Sequence, residues 1–310
     1  MKRFDLRAEK SERLDIFLRR VLPPLVNSQI SNSKIRRLIV AGTVSVSGRQ
    51  CRLPSFVLRG TESVTVSVDE DRLFYEKQPD DILFTLTEKD LLYEDDYIIV
   101  VNKPAFISTE ETVVKGRANL HQCVVDYLWK KNPSLRNPPY AGIMHRLDRE
   151  TSGVILFTKS RSANAGIHGQ FESHTVIKKY RAVCAPAKAA LTLPDEFSVR
   201  LTMGRISAKS SQCKMGLLSP SKGGQDSHTD FKVSSFNNGL YYVDALLHTG
   251  RIHQIRFHLS QKGFPILGDT LYGGRTYERI MLHSYSLTFV HPISGKEMTV
   301  TAPLPQGFAP

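Results

Sequence analysis

The sequence predicts an α+β protein of two domains, and three observations point there. Within the first sixty residues, apolar side chains recur first at helical spacing and then at every second position. From Leu92 onward the chain reads as short strands and turns, with an amphipathic helix between them. The charge is also segregated. Residues 1–60 carry 13 Lys and Arg against 4 Asp and Glu, residues 61–96 carry 3 against 12, and residues 97–310 carry 26 against 14. A basic head and a basic body separated by an acidic stretch mark a boundary. The division expected is a first domain over 1–75, an acidic linker over 76–91 and a second domain over 92–310. At 310 residues the chain is long enough for one of these domains to bury a substantial core.

In the head, Leu14, Phe17, Leu18, Val21 and Leu22 share one helical face, with Ser11 and Glu12 as the N-terminal cap and Pro23 and Pro24 as the stop. A second helix is expected from Ser33 to Ala41. Ile35, Leu38 and Ile39 would face inward, and Lys34, Arg36 and Arg37 outward as a cationic face. Gly42 ends it in the left-handed conformation. Thr43–Val46 alternates as a strand, Ser47-Gly48 turns, and Val64, Val66 and Val68 alternate in a closing strand. The acidic connector lies around Asp69–Asp71 and Gln78–Asp81, with Pro79. It repels phosphates, so any nucleic-acid contacts belong on either side of it.

In the body, Leu92–Asp96 leads into a strand at Ile98–Val101, which Asn102-Lys103-Pro104 breaks. Ala118–Lys131 places Leu120, Val124, Tyr127 and Leu128 on one side of a helix. The segment Ile143–Phe157 then sets a dense polar turn against a short apolar strand. In that turn Asp148 stands between Arg146 and Arg149, and nearby positive charge favours the carboxylate anion. An ionised aspartate suits nucleophilic or base chemistry. Glu150 is a poor glycosidase partner for it, because residues two apart in a loop do not reliably face each other across a sugar.

Several classes are disfavoured. Cys51, Cys123, Cys184 and Cys213 form no C-x-x-C pair, and His248, His253 and His258 recur at a spacing that leaves one helical face. Neither a disulfide framework nor a zinc site is expected, and the thiols read as free. No apolar run approaches the length of a bilayer span, and the charged N-terminus lacks a signal-peptide core. A cytoplasmic, soluble protein without membrane contact is expected. The net charge of +12, clustered as it is, suits a nucleic-acid partner.

Two resemblances sharpen this. Arg13-Leu14-Asp15, Ser33-Lys34-Ile35-Arg36-Arg37-Leu38-Ile39 and Gly42-Thr43-Val44-Ser45-Val46 make the head resemble the alpha-L (S-four-type) RNA-binding domain of ribosomal proteins. His145-Arg146-Leu147-Asp148 with Thr151-Ser152-Gly153 resembles the signature of RluA-type pseudouridine synthases. Further blocks agree in order: Tyr93–Asp96 with Val101–Pro104, Lys178–Val183, Thr249–Leu259 and Gly263–Asp269 with Tyr272-Gly273. The tail from Leu282 to Pro305 fits as well. Two departures stand out: Ala105–Glu110 replaces the family's Gly-containing loop, and Cys184-Ala185-Pro186 replaces its glycine after the Lys-Tyr block.

The resemblance implies a mixed, largely antiparallel sheet with a basic cleft, and isomerisation of uridine to pseudouridine in structured RNA. Large-subunit ribosomal RNA is the expected substrate, with transfer RNA as the alternative, and no cofactor or metal is implied. Asp148 becomes the catalytic carboxylate, Arg256 its partner, Tyr180 an aromatic that stacks on the uracil, and Arg146 a wedge that fills the place of the extruded base. Lys34, Arg36, Arg37 and Arg251 are the expected RNA-binding residues. His253 and His258 read as core histidines and Asp269 as structural. The chain is expected to act as a monomer. A different class remains in competition: an RNA-binding or ribosome-assembly protein on the same scaffold without catalysis.

Overall fold

The computed structural model describes residues 2–26, 30–69, 82–111, 117–188, 191–207 and 213–309. The chain divides into two compact units, Met1–Pro79 and Asp80–Pro310. Among the described residues, no helix is long and apolar enough to cross a membrane.

In the smaller unit, the helices α1 (Leu14–Leu25) and α2 (Asn32–Val40) share one core with a four-stranded sheet. The sheet runs β1 (Lys2–Arg7), β6 (Ser63–Val68), β3 (Val44–Val46), β4 (Arg49–Gln50). Val64, Val66 and Val68 point inward at every second position and meet Phe17, Leu18, Leu22, Ile35 and Ile39. Gly42 turns the chain out of α2 at φ +79°. Strand β1 was not expected, because Lys2, Arg3, Asp5 and Arg7 mask the alternation of Phe4 and Leu6. Such charges suit an edge strand, which is where β1 lies. Ser11 and Glu12 do not cap α1; they form β2 (Ser11–Arg13), paired with β5 (Val57–Arg59). Pro23 and Pro24 lie inside the last turn of α1 instead of ending it. They supply no N–H to the carbonyls four residues back, yet the chain stays helical through Leu25, and Val26 N–H donates to Leu22 O at 3.2 Å.

Of the acidic connector, residues 70–81 lie outside the described residues. From Ile82 the chain packs on the larger unit: Leu86 is buried in its core, and Thr87 and Asp90 close a capping box ahead of β7 (Leu91–Glu94).

The larger unit is built on an eleven-stranded sheet. Its centre runs β15 (Leu240–Leu247), β11 (Ile177–Cys184), β16 (Leu282–Val290), β10 (Ser152–Thr158), β8 (Ile98–Lys103), β7. Beyond β15 lie β14 (Gln225–Asn237), β12 (Glu196–Arg205) and β13 (Met215–Leu217); β9 (Gly142–Ile143) and β17 (Glu297–Thr301) pair with β10 and β16. All pairings are antiparallel except β10 with β16, so the sheet is mixed and largely antiparallel, as expected.

Strand β10 is buried at every position because both sheet faces are covered. Ile155 and Phe157 join Ile99, Val101 and the apolar side of α3 (Leu120–Lys131). Val154 and Leu156 join Ile98, Val100 and Ile167 of α4 (Arg161–Glu172) on the other face. Gly153 opens this strand at φ +113°, where an added Cβ would lie 2.1 Å from Ser284 O. Only glycine lets the polar turn before it close onto β16.

His258, on α5 (Gln254–Gln261), illustrates how burial sets acid sensitivity. Its side chain is fully buried, with Nε2 bonded to Ser227 Oγ at 2.8 Å and Nδ1 to Thr229 Oγ1 at 3.0 Å. Burial, with His228 adding like charge, pushes its pKa down to about 4 from 6.5. The neutral ring is therefore favoured in the folded state, and its stabilisation is present above about 6.5 and lost as pH falls toward 4. The melting temperature is expected to drop as pH is lowered through that window, and to drop less in His258→Gln. A midpoint that stays flat there in the unmodified protein would refute this.

Candidate active site

The site is assembled around a buried cation. Arg256 sits in the first turn of α5 with its side chain 3% exposed. Its Nε and Nη2 donate to the two carboxylate oxygens of Asp269 at 2.6 and 2.9 Å, a two-pronged bond that fixes the guanidinium plane. The remaining edge faces Asp148, with Nη1 to Oδ2 at 3.2 Å. Burial opposes the charge on Arg256, but the bonds and negative charge of Asp269, with Asp148 behind them, outweigh it and raise its pKa. Asp269 is itself held in a tight turn after Gly268, where φ is +85° and an added Cβ would lie 1.9 Å from Arg279 O.

A second buried cation shapes the turn that carries Asp148. Lys103, at the end of β8, is fully buried and donates to the carbonyl oxygens of Pro104, Arg149 and Thr151 at 2.9, 3.0 and 2.8 Å. Burial pushes its pKa down to about 7, while three carbonyl acceptors take up all three hydrogens of an ammonium. Thr109 adds a two-way bond to Leu147, donating to its oxygen at 3.0 Å and accepting from its N–H at 3.1 Å. Thr151 N–H closes back on Asp148 O at 3.0 Å. The turn is thus fixed by backbone bonds on both flanks, and Asp148 projects from it with a quarter of its side chain exposed.

Tyr180 approaches from β11. It is 8% exposed, and burial pushes its phenol up to about 12, so it is uncharged near neutral pH. Asp148, Tyr180 and Arg256 line one cleft of about 990 Å³, with Arg146, Lys178 and Arg251 around them. The three residues expected at the centre therefore do come together.

Their surroundings differ from the sequence reading. Arg146 and Arg149 do not bracket the Asp148 carboxylate. Arg146 is 59% exposed and pairs with Glu110; Arg149 pairs with Glu150 at 2.8 Å and lies over the Phe106 ring. Neighbouring side chains in a turn splay apart, and the cation that reaches Asp148 comes from 108 residues away. Arg251 lies at the cleft, with Nε donating to Asp226 O at 3.0 Å. Lys34, Arg36 and Arg37 are carried by α2 of the smaller unit, where Arg36 and Arg37 are exposed and Arg36 stands 3.5 Å from Asp15.

His258 is a core histidine, but His253 is not. His253 lines the cleft with Nε2 3.8 Å from Asp148 Oδ2 and Nδ1 3.0 Å from Tyr272 Oη. Tyr272 Oη accepts Met215 N–H at 2.8 Å, which leaves its own hydrogen for Nδ1. The other ring nitrogen, Nε2, faces Asp148. Burial lowers the pKa of His253. Apolar Ile255 and Phe257 made His253 look like core, yet it precedes the helix at φ +55° and so leaves their face. One grouping invisible to spacing also appears. His228 and His248 stack at 4.0 Å across β14 and the end of β15, and both bond to Asp230, at 3.0 and 2.6 Å. Both imidazoles thus share one carboxylate as hydrogen-bond partner.

Because Lys103 gathers three carbonyls of this framework on one ammonium, Lys103→Met is expected to cost about 3 kcal/mol, read as a lower midpoint in urea unfolding. An unchanged midpoint would show that the lysine does not brace the turn.

Residues 97–261 match the family described as RNA pseudouridylate synthase, a span that includes Asp148, Tyr180 and Arg256. The chain is 29% identical over 301 residues to ribosomal large subunit pseudouridine synthase D of Zymomonas mobilis, covering 93% of this chain and 90% of that one. It is 32% identical over 308 residues to the protein of the same name from Neisseria meningitidis, covering 94% and 76%. Among solved structures, human RNA pseudouridylate synthase domain containing 4 shares the fold at a TM-score of 0.58 and 22% identity, over 71% of this chain and 90% of that one. With match and geometry in agreement on the catalytic body, the chain belongs to the RNA pseudouridylate synthase family, RluA type, and is an isomerase acting on uridine in RNA.

Proposed function

We propose that this chain converts uridine to pseudouridine in large-subunit ribosomal RNA, with Asp148 as the reacting carboxylate and no cofactor. The observation that carries this reading is the placement of Asp148. It is a carboxylate on a braced turn, paired with a guanidinium that Asp269 fixes from behind, in one cleft with a buried aromatic.

The chemistry fits those groups. The bond from ribose C1′ to uracil N1 breaks, the uracil turns, and C5 joins C1′. N1 gains a hydrogen and C5 loses one, so nothing enters or leaves and no electrons are transferred. Attack on C1′, attack on the base and removal of a ribose proton are all steps a carboxylate can perform, and Arg256 holds that of Asp148 in place for them. Tyr180 offers its ring to a uracil drawn out of its helix. Arg146, exposed at the rim, exchanges Glu110 for the gap that the base leaves behind.

Around this centre the cleft is basic, and Arg251 meets phosphate there. The smaller unit serves as an alpha-L docking module whose Lys34, Arg36 and Arg37 hold RNA phosphates, with an affinity that falls as salt rises. A docking module favours large, structured RNA, and the curated relatives are named for the large ribosomal subunit. The enzyme works in the cytoplasm as a monomer.

Pseudouridine maps of total RNA with and without the gene test the target. At least one large-subunit position is expected to lose its pseudouridine, and loss confined to transfer RNA would replace the ribosomal reading. With purified protein, Asp148→Ala is expected to lower conversion at least about 10³-fold while leaving RNA affinity in place. Activity that survives in the variant would remove Asp148 from the reaction.

A further inference from the structure

The charges lining the cleft are unevenly compensated. Arg256 pairs with Asp269 and Asp148, Arg146 with Glu110, and Arg149 with Glu150. Among the described residues, no carboxylate pairs with Lys178 or Arg251. Arg251 spends only its Nε, on a main-chain oxygen.

Lys178 is the more unusual of the two. It is 8% exposed, lines the cleft, and among the described residues its ammonium has no hydrogen-bond acceptor. A buried cation is costly unless something pairs with it. Here burial and the nearby charge of Arg251 both depress the pKa of Lys178. Nothing in the fold repays this. Gly250 stands beside the ammonium, where an added Cβ would come 3.9 Å from Nζ, and its lack of a side chain leaves the approach open. Lys178 and Tyr180 also point to the same face of β11, two residues apart along the strand. A nucleotide whose base meets the Tyr180 ring therefore has its backbone within reach of Lys178.

Resting on the proposed reaction, we infer that Lys178 and Arg251 form an anion subsite for a phosphodiester group flanking the target uridine. The phosphate supplies the negative charge that the fold withholds, and so couples correct threading of the RNA strand to occupation of the cleft. Neither residue touches the reacting atoms. Both are positioning residues that set where the ribose stops relative to Asp148.

The test uses the full chain and an RNA fragment containing the mapped target. It compares the ordinary fragment with fragments carrying one neutral methylphosphonate linkage 5′ or 3′ of the uridine. On ordinary RNA, Lys178→Met is expected to slow single-turnover conversion about 10- to 100-fold, with Lys178→Arg recovering most of the rate. With the neutral linkage at one of the two positions, the unmodified protein is expected to slow by a similar factor, and Lys178→Met to lose nothing more. The RNA-free Lys178→Met protein is also expected to melt higher, since an unpaired buried charge has been removed. Equal rates for Lys178→Met and the unmodified protein would overturn the subsite. So would losses that multiply at both linkages, or a lower melting temperature with a slowed rate on every fragment. If the unmodified protein converts no RNA, the proposed reaction fails instead. The same linkage comparison in RNA affinity, which needs no turnover, then decides the subsite.

Discussion

The guanidinium of Arg256, buried between Asp269 and Asp148, is the interaction on which the rest of the site depends. A charge so enclosed must be matched, and Asp269 matches it with two aligned bonds that leave one edge free. That edge sets the position of the Asp148 carboxylate. Removing Asp269 leaves the buried guanidinium with only the part-exposed Asp148 as its anion, at a cost of about 3 kcal/mol. Helix α5, the turn after Gly268 and the turn around Asp148 are thereby tied to one another through a single side chain. Lys103 plays the complementary part: it gathers three backbone carbonyls and so fixes the turn that Arg256 addresses. Two cations with almost no exposure, Arg256 and Lys103, hold the geometry.

Much of this was legible in the sequence. The alternating valines of β6, the apolar run of β10 and the helical spacing of α1, α2 and α3 are local patterns, and each formed the expected element. Strand β1 escaped because its charges belong to an edge, and the ends of α1 were misjudged because Ser11 found a strand partner before it could act as a cap. Periodicity reports which face is apolar; it does not report pairing between distant segments.

The site shows the same division. Asp148, Tyr180 and Arg256 came from ordered blocks of residues, and they share the cleft. The roles of Arg146 and Arg149 as flanking charges rested on sequence adjacency, which does not survive the geometry of a turn. His253 and Asp269 gained their places through tertiary contacts, His253 with the distant Asp148 and with Tyr272, Asp269 with Arg256. One signal could have pointed to Asp269: an arginine among apolar helix residues needs a carboxylate close by, and the aspartate after Gly268 is near in sequence. The stacked pair of His228 and His248 had no such signal, since it arises only from the register of β14 on β15.

Asp269 is expected to act on the reaction by fixing Arg256, without touching RNA itself. Asp269→Asn keeps the shape of the side chain and removes its charge. The direct measurement is the single-turnover rate of pseudouridine formation at saturating RNA, set beside RNA affinity for the same variant. The rate is expected to fall about 100-fold with affinity unchanged within about twofold, because the carboxylate is displaced while the binding surface is not. A rate that holds in a folded variant, or a loss of affinity that accounts for the whole effect, would contradict the account.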